Sequence, residues 1–435
     1  MHNIPQRLTT TPELLAPAGS AAALQAALAA GCDAVYFGVD CFNMRVAAEN
    51  FRRPDMARVV ARCHARGVAA YLTLNTIVYE PELPAVEEVV RQAVDAQVDA
   101  VIAWDPAILL ACQRAGLPCH LSTQASISNS ATLLYYYRTF GIRRFVLARE
   151  CSLEQIAAIH RTLQQELGAA AAALEIEVFA HGAMCVSISG RCFLSDYHYG
   201  RSGNRGDCLQ PCRRKYRIVD VEGELEYELG EDYVLSPRDL CTIPFLDRLL
   251  QTGIASLKIE GRNRSPEYVD VVVRAYRRAL DHLAAHGRTD AWPVLQAELL
   301  ENLKSVYNRG FSAGYFFGRP TGDLCQEPDS RATQRKEFVG PVVNYYRQVS
   351  AAEINVQGQP FAVGDELLIL GPTTGLLRVQ VNAIQVEHQS VPAARQGTHV
   401  AVSVDRKVRL HDKVYVVRAT PERDAGPAAS VSCGE

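Results

Sequence analysis

The stretch Glu13–Gly38, ELLAPAGSAAALQAALAAGCDAVYFG, decides the fold class of this chain. It begins with the apolar run Glu13–Ala16, continues through the Ala- and Leu-rich segment Ser20–Ala30, and ends in a second apolar run, Ala34–Gly38. Short runs that are apolar throughout are typical of strands buried on both faces of a parallel sheet. The segment between them has the residue spacing of a helix. We therefore predict a βαβ unit here.

The same alternation continues along the first 260 residues, with helix-like segments such as Pro84–Ala96 and Leu153–Gly168 between apolar runs. The eight runs are Glu13–Ala16, Ala34–Gly38, Ala69–Leu74, Ala100–Trp104, His120–Thr123, Phe145–Ala148, Ile176–Ala180 and Ser256–Ile259. Eight repeats over roughly 250 residues match a TIM-like (β/α)8 barrel. An open, doubly wound sheet is the alternative, because counting strands does not prove that the sheet closes.

Polar residues stand just beyond, or within the end of, several predicted strands. They are Asn75, Asp105, Gln124, Arg149, Glu150, His181, Lys258 and Glu260. In a barrel these positions meet at one rim, where active sites are built. Each residue alone is also explained as a loop or cap residue, and Lys258 and Glu260 as a structural ion pair with each other.

The interval between the seventh and eighth runs, from Ala180 to Ser256, is longer than the others. It predicts an insertion over residues 183–235 on the active rim of a barrel that spans residues 10–318. The insertion contains the densest group of cysteines in the chain.

Beyond the eighth run, the patterns Ser265–His286 and Pro293–Tyr307 predict two helices. Residues 319–335 are predicted to be a linker, residues 336–420 a small β-barrel domain, and residues 421–435 a tail. The strands predicted in this domain are Glu337–Tyr346, Ala352–Val356, Glu366–Leu370, Leu376–Ile384, His399–Val404 and Lys413–Val417.

Four cysteines of the insertion have the spacing Cys185-x6-Cys192-x15-Cys208-x3-Cys212. Four thiolates bind a zinc ion or an iron–sulfur cluster. Structural zinc favours closely paired cysteines, so the six-residue gap favours a cluster, while zinc and no metal remain the alternatives. Cys241 is expected to be a buried thiol outside the set.

The chain has a formal net charge of −3. A nucleic-acid partner would therefore have to bind local patches such as Arg213-Arg214-Lys215 or Arg277-Arg278, which are otherwise ordinary solvated faces. The first seven residues lack the apolar core that a signal peptide needs, and the sequence contains no run of 18 or more apolar residues. We expect a cytoplasmic protein with reduced thiols and no membrane partner.

At the cysteines the sequence resembles a known family. The stretch His181–Cys185, continued by Gly190–Ser195, is similar to the signature of the collagenase-like peptidase family U32. Further resemblances are Glu13–Gly19, Gly31–Gly38, Asn204–Cys208 and Leu257–Arg262, and together they cover about three quarters of the chain. The segments Phe42–Arg45 and Glu49–Phe51, with the single C-terminal β module, resemble the branch that hydroxylates tRNA.

The resemblance implies oxygen-independent hydroxylation with a 4Fe-4S cluster on Cys185, Cys192, Cys208 and Cys212. It implies formation of 5-hydroxyuridine at the wobble position in the tRNA anticodon loop, with prephenate as cosubstrate. Other branches act on 23S ribosomal RNA or, as a heterodimer, on the ubiquinone ring, so a related partner chain is a further expectation.

The candidate catalytic residues are Arg45, Gln124, Arg149, His181, Lys258 and Glu260, and Arg262 is a candidate cofactor-binding residue. Arg45, Arg149 and Arg262 are expected to hold the carboxylates of prephenate, because a guanidinium binds a carboxylate at two points.

Three other functions are weighed against tRNA hydroxylation. A peptidase is suggested by the family name, but the sequence has neither a Gly-x-Ser-x-Gly elbow nor a His-Glu-x-x-His helix. A non-catalytic RNA-binding factor would use the metal site only as a staple. Hydroxylation of ribosomal RNA or of a quinone ring is the remaining alternative.

Overall fold

The computed structural model describes residues 11–45, 49–214, 235–320, 323–325 and 330–421. These residues form two compact units. The first extends to Arg331 and also includes Ile369–Leu377, and the second consists of Ala332–Leu368 and the described residues from Arg378 onward. The predicted tail beyond residue 421, most of residues 215–235 and Lys215 of the basic patch lie outside the described residues.

The first unit is a closed barrel of eight parallel strands. The eighth of these strands pairs with both the first and the seventh, since Ser256 lies opposite Glu13 on one side and opposite Glu177 on the other. This closure confirms the TIM-like barrel and excludes the open sheet. The barrel strands are β1 (Glu13–Ala18), β2 (Ala34–Phe37), β3 (Ala69–Thr73), β4 (Ala100–Ala103), β5 (Cys119–Leu121), β6 (Arg144–Val146), β7 (Glu175–Gly182) and, after one insertion strand, β9 (Ser256–Ile259).

Alternate side chains of each strand face opposite sides of the barrel wall. The inner cluster contains Leu15, Ala34, Tyr36, Tyr71, Ala100 and Ile102. The outer cluster, which packs against the helices, contains Leu14, Val35, Phe37, Leu72, Val101 and many helical residues. The strands are apolar throughout because both faces are buried.

The helices begin and end at residues with suitable capping chemistry. The side chain of Ser20 accepts a hydrogen bond from the backbone N–H of Ala23 at the start of the first helix, which ends at Gly31 in the left-handed region (φ 89°). The helices are α1 (Ala21–Ala30), α2 (Met56–His64), α3 (Leu83–Asp95), α4 (Pro106–Ala115), α5 (Ser130–Phe140), α6 (Leu153–Leu167), α7 (Leu194–Tyr199), α8 (Leu246–Leu250), α9 (Pro266–His286) and α10 (Ala291–Lys304).

Two short strands extend the barrel sheet beyond β7. Strand β8 (Asp239–Cys241) runs antiparallel to β7, and β10 (Phe311–Ser312) pairs with β8. Sequence analysis missed β8 because its three residues are too few to show a period. The loop that contains β10 packs back on the barrel sheet.

The second unit contains an antiparallel sheet, as the alternating pattern predicts. The strands of this part of the chain are β11 (Gln334–Tyr346), β12 (Ala351–Asn355), β13 (Phe361–Ala362), β14 (Glu366–Gly371), β15 (Gly375–Gln380), β16 (Ile384–Val386), β17 (Gln389–Val391), β18 (Ala393–Ala394), β19 (His399–Ser403) and β20 (Lys413–Ala419). Strands β14 and β15 overlap the segment Ile369–Leu377, which is grouped with the first unit. The larger sheet has the order β15-β14-β20-β11-β12-β19-β16-β17.

The prediction of one strand over Leu376–Ile384 is wrong. This stretch contributes to both β15 and β16, which lie far apart in the strand order. The chain leaves the first strand at Val381, whose N–H donates to the carbonyl of Asp365 and whose own carbonyl accepts from Gly364.

None of the helices within the described ranges combines the length and the apolar character that crossing a bilayer requires.

Candidate active site

A pocket opens at the carboxyl ends of the barrel strands, the end at which TIM barrels build their active sites. Side chains of the strands form its floor, and the insertion after β7 forms its roof. The floor residues are Tyr36, Thr73, Ile102, Val146, Phe179 and Lys258. The roof residues include Cys185, Cys192, Leu194, Cys208, Pro211 and Cys212.

Glu260, the residue after β9, lies between arginines in this pocket. Its carboxylate is 3.5 Å from Nη2 of Arg45 and 3.2 Å from Nη2 of Arg149. Burial raises the pKa of Glu260, but the positive charges of Arg45, Arg149, Arg262 and Lys258 outweigh this and lower it. Three arginines and one carboxylate, which we call the arginine cluster, therefore carry a net charge of +2.

Arg262 is held from both sides by neutral oxygens. Its Nη1 donates to Oδ1 of Asn43 at 3.0 Å and to Oγ1 of Thr73 at 2.9 Å. Burial lowers the pKa of Arg262 to about 10, so the guanidinium stays charged at neutral pH. Gly38 directly follows β2. A Cβ at this position would lie 2.5 Å from Nη1 of Arg262, so a larger side chain would displace the guanidinium.

Arg149 is fixed by its ion pair with Glu260 and by two further contacts. Its guanidinium carbon lies 3.9 Å from the centre of the Phe179 ring, and its Nη1 donates to the carbonyl of Ala183 at 3.1 Å. Its buried Nε has no hydrogen-bond partner among the described residues.

Lys258 pairs with Glu177 on the neighbouring strand, with Nζ 2.8 Å from Oε1. The side chains are only 6% and 0% exposed, so both charges are removed from water. The Lys258 ammonium also lies 4.6 Å from the centre of the Tyr36 ring. The alternative pairing of Lys258 with Glu260 is wrong, because the two residues have different partners.

Gln124 lies on the pocket wall, where its amide is oriented by neighbours. Its Oε1 accepts hydrogen bonds from Nδ2 of Asn75 at 3.1 Å and from the hydroxyl of Ser122. All three residues line the pocket, so the wall offers amide and hydroxyl groups in fixed orientations.

The four cysteines of the insertion all line the pocket. In three of them the sulfur accepts a hydrogen bond from the backbone N–H two residues further along the chain. The distances are 3.4 Å for Ser187 N to Cys185 Sγ, 3.3 Å for Leu194 N to Cys192 Sγ and 3.3 Å for Gln210 N to Cys208 Sγ. Such bonds stabilise negative charge on sulfur.

Cys212 lines the same pocket as the other three thiols. Burial raises the pKa of Cys212, Arg213 opposes this, and negative charge on Cys185, Cys208 and Cys192 raises it further. The four thiols therefore share one electrostatic environment at the pocket.

Glycines allow the insertion to approach the barrel. Gly206 has φ 86°, and a Cβ there would lie 2.1 Å from the carbonyl oxygen of Asn43. Gly206 thus fits the loop before Cys208 against the residues that hold Arg262.

Cys241 lies outside this group. It is buried and does not line the pocket, and burial raises the pKa of its thiol to about 12. This agrees with the expectation that it is an inert buried thiol.

The structure does not bring His181 to the pocket with the other candidates. A register shift in β7 between Phe179 and His181 accompanies a turn of the side chain toward Tyr268, Tyr276 and Phe311. Burial lowers the pKa of His181 to about 3. A neutral, enclosed imidazole is a packing residue, so the catalytic assignment of His181 is not supported.

Asp105 and Glu150 also lie outside the pocket lining. Asp105 caps α4 by accepting from Ala107 N at 2.9 Å, and Glu150 accepts from Ser189 N at 3.1 Å. These are the cap and loop roles that the sequence left open.

Three residues that line the pocket were not predicted from the sequence: Tyr36, Thr73 and Phe179. Asn43, which holds Arg262 from outside the lining, was not predicted either. Tyr36 and Thr73 stand in or next to the last position of their strands, where inward-facing side chains reach the rim. That position was a usable signal. The role of Asn43 depends on a contact with Arg262 across 219 residues and has no local signal.

Comparison with known proteins places the chain in a family. Residues 19–326 match the model described as Peptidase family U32. The chain is 38% identical over 406 residues to a protein of Porphyromonas gingivalis named collagenase, covering 93% of this chain and 97% of that one. It is 33% identical over 415 residues to tRNA hydroxylation protein P1 of Bacillus subtilis, covering 94% of each.

A third relative is the 23S rRNA 5-hydroxycytidine C2501 synthase of Escherichia coli. It is 34% identical over 369 residues, which are 82% of this chain and 52% of that protein. With a family match over most of its length and relatives above 30% identity, this chain belongs to peptidase family U32.

Proposed function

We propose that this protein hydroxylates RNA with a 4Fe-4S cluster held by Cys185, Cys192, Cys208 and Cys212. The proposed product is 5-hydroxyuridine at the wobble position of the tRNA anticodon loop, with prephenate as cosubstrate. The observation that carries the proposal is that four thiols and the arginine cluster face one pocket. The relatives named for hydroxylation of tRNA and ribosomal RNA support the reaction class.

The donor chemistry of the four cysteines supports an iron–sulfur cluster. Thiolates are the usual ligands of such clusters, and amide hydrogen bonds to the sulfurs tune the reduction potential. Three of the four sulfurs already accept such bonds. When bound, a cluster supplies one-electron redox chemistry that no protein side chain here provides.

A single zinc ion fits less well. It needs its ligands about 2.3 Å from one point. Across the ranges that the structure describes, no three His, Cys, Asp or Glu side chains form a group suited to one metal ion. A cluster distributes its thiolates over several irons, so its ligands stand further apart.

The arginine cluster is suited to a dicarboxylate. Lys258 and Glu177 neutralise each other, so the net charge of +2 around Glu260 complements two carboxylates. Arg45 is the most exposed member of the cluster, at 31% of its side chain. Guanidinium groups bind carboxylates through paired hydrogen bonds.

The remaining wall is suited to an unstacked base. Gln124 and Asn75 provide amide groups in fixed orientations for a base edge. Anticodon loops present bases that are free to leave the stack. The residues thus bind and orient the base, while the insertion shields it from water.

Proteolysis is not favoured by this pocket. No histidine is among the described residues that line it, so a Ser–His or Cys–His pair is not assembled there. Incubation of purified protein with gelatin tests this, since cleavage lost in Cys192→Ala would restore the peptidase hypothesis.

The proposed function is tested by nucleoside analysis of tRNA from a deletion strain. We expect 5-hydroxyuridine derivatives to disappear, to return with the wild-type gene, and to stay absent with Cys192→Ala. Cys41→Ala is the control, because Cys41 is half-buried like the four ligands but does not line the pocket. Unchanged tRNA nucleosides with altered ribosomal RNA or accumulated ubiquinone precursors would shift the substrate to another class.

A further inference from the structure

The roof of the pocket carries an unusual set of exposed apolar side chains. They are Val186, Ile188, Phe193, Tyr197, Tyr199 and Leu209, all between the first and last of the four cysteines. Tyr197 is 87% exposed and Phe193 is 61% exposed. Large apolar side chains grouped on a surface mark interaction sites.

The three aromatic residues of this set lie on or directly before the short helix α7. Phe193 precedes α7, and its ring lies 6.2 Å from that of Tyr197 in an edge-on arrangement. Tyr199 ends the helix, and its hydroxyl accepts from Nη1 of Arg214 at 2.7 Å while the guanidinium lies over the ring. The helix is anchored from inside, because Ser195 accepts from Leu209 N at 3.0 Å.

The same segment is positively charged although the chain as a whole is not. Residues 185–214 contain five arginines and two aspartates, a net charge of +3 against −3 for the whole chain. Arg201 pairs with Asp207 and Arg205 with Glu82, but Arg191 contacts Ser126 and the Trp104 ring, and Arg214 contacts Tyr199. Arg191, two residues before Phe193 in the sequence, and Arg214, beside Tyr199, are therefore exposed positive charges of this segment.

We infer that Phe193, Tyr197 and Tyr199, with Arg191 and Arg214, form a stacking platform for unpaired RNA bases. The inference rests on the proposed function and identifies how the substrate is held outside the catalytic pocket. Aromatic faces bind bases of any identity, and interleaved arginines follow the phosphates. Phe193 directly follows Cys192, which lines the pocket, so a base stacked on Phe193 would lie next to the pocket roof.

This platform selects loops over duplexes. Bases in a paired stem are already stacked and cannot lie on protein rings, whereas loop bases next to the modified one can. The nucleotides that flank the target base are thereby held while the target enters the pocket.

The test is fluorescence anisotropy with the full-length holoprotein. The probes are a labelled anticodon stem–loop RNA and a duplex of the same stem without the loop. We expect tighter binding to the stem–loop, and about tenfold or greater weakening for Phe193→Ala and for Tyr197→Ala. Arg191→Ala and Arg214→Ala should each lower the slope of log K against log salt by about 0.7.

Phe317→Ala is the matched control. Phe317 is 52% exposed and has Arg248 over its ring at 4.6 Å, but it lies outside the insertion. The Phe317→Ala variant should bind the stem–loop with the affinity of the wild-type protein. Tyr197→Phe should also bind normally, because stacking needs the ring and not the hydroxyl.

Wild-type stem–loop affinity in the Phe193→Ala/Tyr197→Ala double variant would overturn the platform, as would a change in oligomeric state by light scattering in place of a change in RNA binding. An equal loss of duplex affinity would also overturn it. A failure of the proposed function alone would give another result. Stem–loop affinity would still depend on the three rings, but the tRNA nucleosides of the deletion strain would be unchanged.

Discussion

The buried pair Lys258–Glu177 should respond in opposite ways to single and double substitution. At 2.8 Å and an effective dielectric constant of about 20, the attraction is about 6 kcal/mol, which offsets the cost of removing both charges from water. Removing one partner leaves a buried charge without compensation, which costs about 3–5 kcal/mol. Replacing both by apolar residues removes the attraction and the cost together.

The two single variants should differ. Lys258→Met leaves Glu177, which is 0% exposed and whose Oε2 already has no hydrogen-bond partner among the described residues. Glu177→Gln leaves an ammonium that keeps the ring faces of Tyr36 at 4.6 Å and Phe179 at 5.8 Å. Lys258→Met is therefore the more destabilising change.

The assay is thermal unfolding followed by circular dichroism. For a unit of roughly 300 residues, 4 kcal/mol corresponds to a fall in Tm of about 6 °C. We expect this fall for Lys258→Met, a smaller one for Glu177→Gln, and near-wild-type stability for Lys258→Met/Glu177→Leu. A double variant as unstable as Lys258→Met, or a single variant within about 1 °C of wild type, would show that the two buried charges do not stabilise each other.

Four further outcomes are expected. His181 should make the protein less stable in acid. Its pKa in the folded protein, about 3, lies below the ordinary value of 6.5. Between these pH values only the unfolded chain binds the proton, so the free energy of unfolding falls by about 1.4 kcal/mol for each unit by which the pH is lowered. Urea unfolding at several pH values should show a shallower slope for His181→Gln, and an unchanged slope would contradict this. Arg144→Met should lower the free energy of unfolding by about 3 kcal/mol, because Arg144 pairs with Glu13 and Glu175, both at 2.6 Å. The amount of product per folded molecule should not change. An equal loss of stability in Val294→Ala, at an exposed helix position, would argue against a specific role of Arg144. Arg149→Lys should raise the KM for the dicarboxylate cosubstrate about tenfold, since it loses the two-point contact and the stacking on Phe179; an unchanged KM would remove Arg149 from the cosubstrate site. Gly206→Ala should lower iron retention by displacing the loop before Cys208, whereas Gly200→Ala, which meets no neighbour, should retain more iron; equal retention by both would contradict the packing argument.

Much of the fold was predictable because it depends on local patterns. Each barrel strand and helix has its own apolar signature, and the polar residues that follow the strands reach one rim because the strands are parallel. The position of the four cysteines at the pocket was predictable because the insertion that contains them follows a barrel strand on the active rim.

The rest depends on contacts that are distant in sequence. Lys258 pairs with Glu177 and not with Glu260 because β7 and β9 lie side by side, and nothing near Lys258 in the sequence indicates that neighbour. His181 is turned away from the pocket by a register shift in β7. The three-residue strand β8 forms only because β7 offers an edge for pairing.

The proposed iron–sulfur cluster on Cys185, Cys192, Cys208 and Cys212 is tested by the iron and sulfide content of protein purified without oxygen, measured for wild type, Cys192→Ala and Cys41→Ala. We expect about four irons and four sulfides per chain in wild type and in Cys41→Ala, and a large loss in Cys192→Ala. Wild-type protein that contains one zinc ion, or iron content that is unaffected by Cys192→Ala, would show that these cysteines do not hold a cluster.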